Sequence, residues 1–159
     1  MIFKNTLYIK FSSKNISIRY VEKQTTIEEE PIIAIRNEIK SKKIIAVGID
    51  SKRAQFKDPV NVTIHNAFKH PRTFLSNFEI AEATLRYFVY KIVQRNFLVK
   101  PIIIFHPTEN IEGGVTQIER RGLRELGISV GARETYVWTG RLLTDGELTD
   151  KHFLKMIEK

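Results

Sequence analysis

The first two apolar segments of the chain alternate with period two. Residues 6–11 (Thr-Leu-Tyr-Ile-Lys-Phe) and 16–21 (Ile-Ser-Ile-Arg-Tyr-Val) put every second side chain on one face, as strands do. Ser12-Ser13-Lys14-Asn15 between them predicts a tight turn. Further strands are expected at residues 32–36, 44–49 and 60–65, separated by polar, turn-rich segments. After Pro71 the period changes. Ala81, Leu85, Phe88 and Ile92, flanked by Val89 and Val93, form a stripe at helical spacing, and Ser76-Asn77-Phe78-Glu79 ahead of it reads as a capping box. A helix over about residues 77–96 is expected to pack that stripe on a sheet.

Pro101-Ile102-Ile103-Ile104-Phe105 is apolar without alternation, which suits a strand buried on both faces. Thr116-Gln117-Ile118-Glu119 is a second capping box, opening a helix through Arg121, Leu123 and Leu126 with Gly131 as its stop. A strand at 134–138 and a closing helix at 145–158 complete the pattern. Three strands, a short-strand insertion, then alternating helix and strand predict the ribonuclease-H-like or actin-type α/β layout. Its mixed sheet has five strands in the order 3-2-1-4-5, with helices on both faces. The first three strands (the third at 32–36) are antiparallel, and residues 101–105 lie between 6–11 and 134–138.

Composition narrows the functional classes. At 159 residues the chain is one domain, and 42% apolar with 28% charged residues is a globular balance. No cysteine is present, which excludes disulfide frameworks and Cys-based zinc sites. No apolar stretch is long enough to span a membrane, and the N-terminus lacks a signal-peptide core, so a cytoplasmic location is expected. Met1-Ile2-Phe3 beside Lys4 offers at most weak peripheral membrane contact. The net charge of +8 invites nucleic acid, an anionic surface or an acidic partner. The basic residues are diffuse, however. Their densest cluster is Lys40, Lys42 and Lys43, and no aromatic–basic pattern of an RNA-binding sheet appears, so nucleic acid is the weakest of these.

Four segments carry a family resemblance. Thr116-Gln117-Ile118-Glu119-Arg120-Arg121, then Arg124-Glu125, then Gly131-Ala132-Arg133-Glu134 resembles the T-Q-V-E-R-R-x-x-R-E…G-A-R-E run of the bacterial actin homologue MreB, in the same register. Upstream, Phe78, Glu82, Leu85 and Phe88 match that family's first long helix. Pro31-Ile32-Ile33-Ala34-Ile35-Arg36 resembles its E-P-S-V-V-A-I-R strand, and Ala46-Val47-Gly48 its A-V-G. The resemblance covers most of residues 6–138, in order. It implies that residues 1–159 form a single actin-like domain I, with 37–70 as a small inserted subdomain, and that domain II is missing.

The departures bear on function. Where the family carries D-x-G-T, the acid organising Mg²⁺ and the loop cradling phosphate, this chain has Lys10, Phe11, Ser12 and Ser13. Where the family carries a catalytic acid in I-E-E-P, it has Gly140 within Trp138-Thr139-Gly140-Arg141. The resemblance therefore implies a degenerate nucleotide site: no catalytic residues, no cofactor and no metal. Lys10 reads as a strand-end lysine facing solvent. The loop His106, Pro107, Thr108, Glu109, Asn110, Ile111, Glu112, Gly113, Gly114 sits where open α/β sheets bind ligands, and His106, Glu109 and Glu112 have acid–base or metal potential. Gly113-Gly114 would let an anion approach the backbone. The preferred reading of that loop is a mobile turn with a solvated histidine. Three functions remain: a non-catalytic MreB-like interaction module whose partner is an MreB-like filament or a second copy, a small ligand- or ion-binding enzyme or sensor using residues 106–114, and a basic nucleic-acid-binding domain.

Overall fold

The computed structural model describes residues 4–94, 98–110 and 112–157. The expected membrane contact at Met1-Ile2-Phe3 lies outside them. β1 (Thr6–Phe11) pairs antiparallel with β2 (Ile16–Tyr20), which pairs antiparallel with β3 (Thr25–Glu29). A second sheet is built from β4 (Ile33–Asn37), β5 (Lys42–Val47) and β6 (Val62–His65), with α1 (Asp50–Lys57) between the last two. The long α2 (Phe78–Val93) then leads to β7 (Ile102–Pro107), α3 (Gln117–Ser129), β8 (Glu134–Val137) and the short α4 (Asp145–Thr149) and α5 (Lys151–Ile157). The large sheet has the order β3-β2-β1-β7-β8 and the small one β5-β4-β6.

β7 is buried at all six positions and pairs in parallel with both β1 and β8, the placement its unbroken apolar run implies. Its side chains feed two cores. Ile103 and Phe105 join Leu7, Ile9, Phe11, Leu85 and Phe88 under α2 and α3, while Ile102 and Ile104 join Tyr8, Tyr136, Leu148 and Leu154 under α4 and α5. Helices thus cover both faces, as expected.

One strand assignment is corrected. The third strand of the large sheet is Thr25–Glu29, not residues 32–36. Its residues are exposed or half-buried, and only Ile27 is apolar. An edge strand of this kind carries no alternation to read, because backbone pairing with β2 holds it rather than side-chain burial. Residues 33–37 instead begin the small sheet, one of whose edges is β5. Helix α1 was also missed. It is polar and largely exposed, and occupies a stretch where only strands were expected.

Helix ends follow local chemistry. The Asn77 side chain, rather than that of Ser76, caps α2 by accepting from the Ile80 amide at 2.9 Å. Ser76 donates its hydroxyl to the Ala67 carbonyl, so the expected Ser76–Glu79 box does not form. The helix stops at Val93, with Gln94 in the left-handed region at φ 55°. At α3 the Thr116–Glu119 box is complete. Gly131, at φ 107°, turns the chain out of α3, which only glycine does without strain. The closing helix is two pieces separated at Asp150. No helix among the described residues is long and apolar enough to cross a membrane.

Candidate functional site

The carboxyl ends of β1, β7 and β8 converge, and three connections meet there: the β1–β2 turn, the loop after β7 and the segment after β8. The last two, with Phe74, border a cavity of about 350 Å³ lined by His106, Thr108, Glu109, Gly114, Thr139 and Gly140, among others. Strand register decides which side chains meet. Lys10 is the Cα partner of both Ser17 and His106, so the even-numbered positions of β1 share a face with Ile104 and His106.

His106 is 3% exposed, so the expectation of a solvated histidine is wrong. It is still on the buried strand β7, and the loop proper begins two residues later. Its Nε2 lies 3.0 Å from the Gly140 carbonyl, which can only accept, so Nε2 carries the proton. Nδ1 then accepts from the Tyr8 hydroxyl at 2.5 Å. Burial holds His106 below the usual histidine range despite the hydrogen bond to Gly140, and the Lys10 ammonium pushes the same way. Burial likewise raises the Tyr8 phenol. With both ring nitrogens engaged, His106 has none left to take a proton from a molecule in the cavity.

Glu109 reaches across to the β1–β2 turn. The Ser13 amide donates to one carboxylate oxygen at 2.9 Å and the Ser13 hydroxyl to the other at 2.6 Å. The remaining amides of that turn are satisfied internally. The Ser12 amide donates to the Asn15 carbonyl at 2.8 Å, and the amides of Lys14 and Asn15 donate to the Ser12 hydroxyl at 3.2 and 3.1 Å. Asn66 holds the turn from the other side, donating to the Ser13 carbonyl at 2.7 Å. Thr108 bonds the Phe11 carbonyl through both its amide and its hydroxyl. This loop is therefore pinned at its start, not a free turn.

The other sequence-selected residues are scattered. Lys10 is half-buried rather than solvent-facing, and borders a separate groove with Tyr8, Ser17, Arg19 and Asp145. Glu112 and Gly113 are exposed and do not border the cavity, whereas Gly114 does. Gly140 has φ 140°, and a Cβ there would lie 3.2 Å from the Trp138 ring. Trp138 is turned instead toward Phe153 and the Arg141 carbonyl. Among the described residues no group of three or more histidines and acids could hold a metal.

Sequence reading missed Tyr8 and Asn66, and named Thr108 only as part of the loop, without its bonds to the Phe11 carbonyl. Parity gave a usable signal for Tyr8, since it lies two residues from Lys10 on a strand. Asn66 and Thr108 carried none, because each bonds a backbone carbonyl distant in sequence. Two ion pairs fix the segment after β8, Arg19 with Asp145 at 2.7 Å and Arg141 with Glu147. The Arg141 guanidinium and the cap of α4 hold the Glu147 carboxyl down at about 2.

A family model described as MreB/Mbl protein matches residues 4–144. The chain belongs to the MreB/Mbl family. The cell shape-determining protein MreB of Pasteurella multocida is 32% identical over 140 residues, covering 86% of this chain and 38% of that protein. MreB 5 of Spiroplasma citri bound to AMPPNP shares the fold with a TM-score of 0.69 at 16% identity, covering 87% of this chain and 39% of that one. The MamK double helical filament does so with a TM-score of 0.60 at 10% identity, over 86% and 41%. The chain thus spans 38% of the length of the curated relatives it matches and has their actin-type fold.

In MreB/Mbl terms, the T-Q-I-E-R-R…G-A-R-E residues act here as fasteners. Besides capping α3, Glu119 accepts from the Thr73 hydroxyl at 2.6 Å and the Phe74 amide at 2.9 Å. Arg120 donates to the Val137 carbonyl at 3.1 Å, and the Arg133 amide to the Pro101 carbonyl at 2.9 Å. They tie α3 and β8 to the sheet beside the cavity.

A histidine held below its free value binds protons less readily in the folded than in the unfolded state. Below the unfolded value near 6.5, acid therefore favours unfolding, and stability falls as pH drops through and below that range. Urea unfolding followed from about pH 7.5 to 5 should show that loss, and His106→Asn should flatten the slope. An unchanged slope in the variant would mean that another group sets it.

Proposed function

We propose that the chain is a non-catalytic MreB-like module of the cell-shape cytoskeleton that works through protein contacts in the cytoplasm. The observation that supports this reading most directly is Glu109 seated on the β1–β2 turn. The family resemblance puts a phosphate cradle at that turn. Here its free donors are given to a carboxylate from the chain's own loop. A phosphate would have to displace two hydrogen bonds to a charged group, each worth about 1.5–3 kcal/mol when dry and less where water reaches them.

The rest of the site points the same way. Lys10 stands where an acid would organise Mg²⁺, so the metal would meet an ammonium. Gly140 stands where the catalytic acid would be, and a side chain there would press on Trp138. The residues present do not fit a Mg–nucleotide of the family type. The enzyme reading of residues 106–114 lacks a free base, because both nitrogens of His106 are engaged. Calorimetric titration with Mg-ATP should find no binding tighter than about millimolar, some 4 kcal/mol. A micromolar dissociation constant would contradict the reading.

The protein contacts follow from what this domain offers alone. By the family's geometry a filament joins domain I of one subunit to domain II of the next, a heterologous contact that needs two different surfaces. One domain supplies one of them. Taken by itself, a segment of this span can dock on an MreB-like filament or close into a dimer without polymerising. Light scattering of the pure protein across concentration and salt should report monomer or dimer, and open-ended polymers would refute this.

A further inference from the structure

β5 ends the small sheet, and its outer edge is open. The strand order is β5-β4-β6, and α1 packs against all three strands. Among the described residues, β5 receives no hydrogen bond from outside its pairing with β4. A strand so placed points alternate amides and carbonyls outward without a partner. The register slips between Ala34 and Ile35, so Ile44 lies opposite Ile35 and Ala46 opposite Ala34, with Ile45 as the extra residue of a bulge. Ile44 and Val47 consequently border one groove despite their odd spacing.

That groove runs between β5 and α2 and holds about 410 Å³. Its apolar lining is Ile44, Val47, Ala83, Tyr87 and Tyr90. The three α2 residues recur at helical spacing beside, not within, the stripe that the helix buries. Ile44 is 46% exposed, Tyr87 40% and Tyr90 38%. The α2 wall is held in place. Tyr87 meets the Phe88 ring edge-on with centroids 5.4 Å apart, and Arg86 bonds Glu82, the Ser129 carbonyl and Tyr90. Charge marks one end of the strand. Lys42 and Lys43 open β5, are exposed, and form no ion pair among the described residues, while Arg36 stands opposite Lys43.

We propose that β5 and α2 together bind an extended segment of a partner protein, apolar at alternate positions and acidic at the end beside Lys42 and Lys43. An open strand edge next to a helix, with apolar rings between them, suits strand addition. The incoming backbone pairs with the edge, and every second side chain enters the groove. Carboxylates opposite Lys42 and Lys43 supply the cross-strand partners those residues lack. A second copy of β5 fits less well, because it brings two more lysines to an edge that is already basic. The inference rests on the reading of the chain as a protein-contact module and gives that module a surface.

The test selects short randomised peptides, displayed on phage, against the full chain. Enriched sequences should alternate apolar and polar residues and carry acids at one end. With a synthetic enriched peptide, Ile44→Ser with Tyr87→Ser, and separately Lys42→Glu with Lys43→Glu, should each weaken binding at least about tenfold. Ile118→Ser, on the exposed surface of α3, should leave it unchanged. All four groove and edge positions are exposed, and circular dichroism should report the wild-type fold. Methylating single backbone nitrogens of the peptide should abolish binding at one parity and spare the other, since only every second amide faces β5. Three results overturn the proposal: no enriched peptide, binding undiminished in both double variants, or methylation effects without parity. Dimerisation lost in Ile44→Ser with Tyr87→Ser, without any enriched peptide, would assign the edge to a second copy instead. The Mg-ATP titration reads the β1–β2 turn and not this groove, so failure here is separable from failure of the non-catalytic reading.

Discussion

Burial of β7 on both faces is the constraint on which the rest depends. A strand with helices over each side must be apolar throughout, and its backbone must be paired along both edges. β1 and β8 meet that demand in parallel, which forces the connections after β7 and β8 to leave from the same end of the sheet. His106 is the one titratable group on this strand, and it is tolerated because Tyr8 and Gly140 satisfy both of its nitrogens. The cavity is thus a consequence of how the sheet is closed.

At that end the chain answers itself. A turn that presents amide donors at the carboxyl edge of an open α/β sheet is a natural anion site. Here the anion is Glu109, delivered by the loop that β7 launches. Strand pairing sets the reach, since Phe11 lies opposite Pro107 and brings the turn beside the loop. The same contact pins a loop that has open space around Gly113 and Gly114. One carboxylate therefore does two things: it orders the loop and occupies the donors.

Sequence pattern revealed the parts of the fold whose period is set by burial. The run from Pro101 to Phe105, the stripe Ala81, Leu85, Phe88, Ile92 and the Thr116 capping box each follow from one local rule, and each stands where that rule put it. β3 and α1 escaped because backbone pairing and exposure shape them more than side-chain burial does. In the site, the departures at Lys10 and Gly140 were visible as residue types. The contact of Glu109 with Ser13 was not, because it joins residues 96 apart and no local pattern pairs the turn with the loop. The burial of His106 was obscured by its position next to a loop, although the strand register carries it inside.

The central claim is that Glu109 holds the donors of the β1–β2 turn. The most direct measurement is the Ser13 amide resonance in isotopically labelled protein, followed by nuclear magnetic resonance. The account predicts that Glu109→Gln shifts this resonance markedly and speeds its hydrogen exchange, as a charge-assisted bond is replaced by a weaker neutral one. It also predicts that Mg-ATP at about millimolar leaves the wild-type resonance in place. A Ser13 amide indifferent to Glu109→Gln, or one that moves saturably with micromolar Mg-ATP, would contradict it.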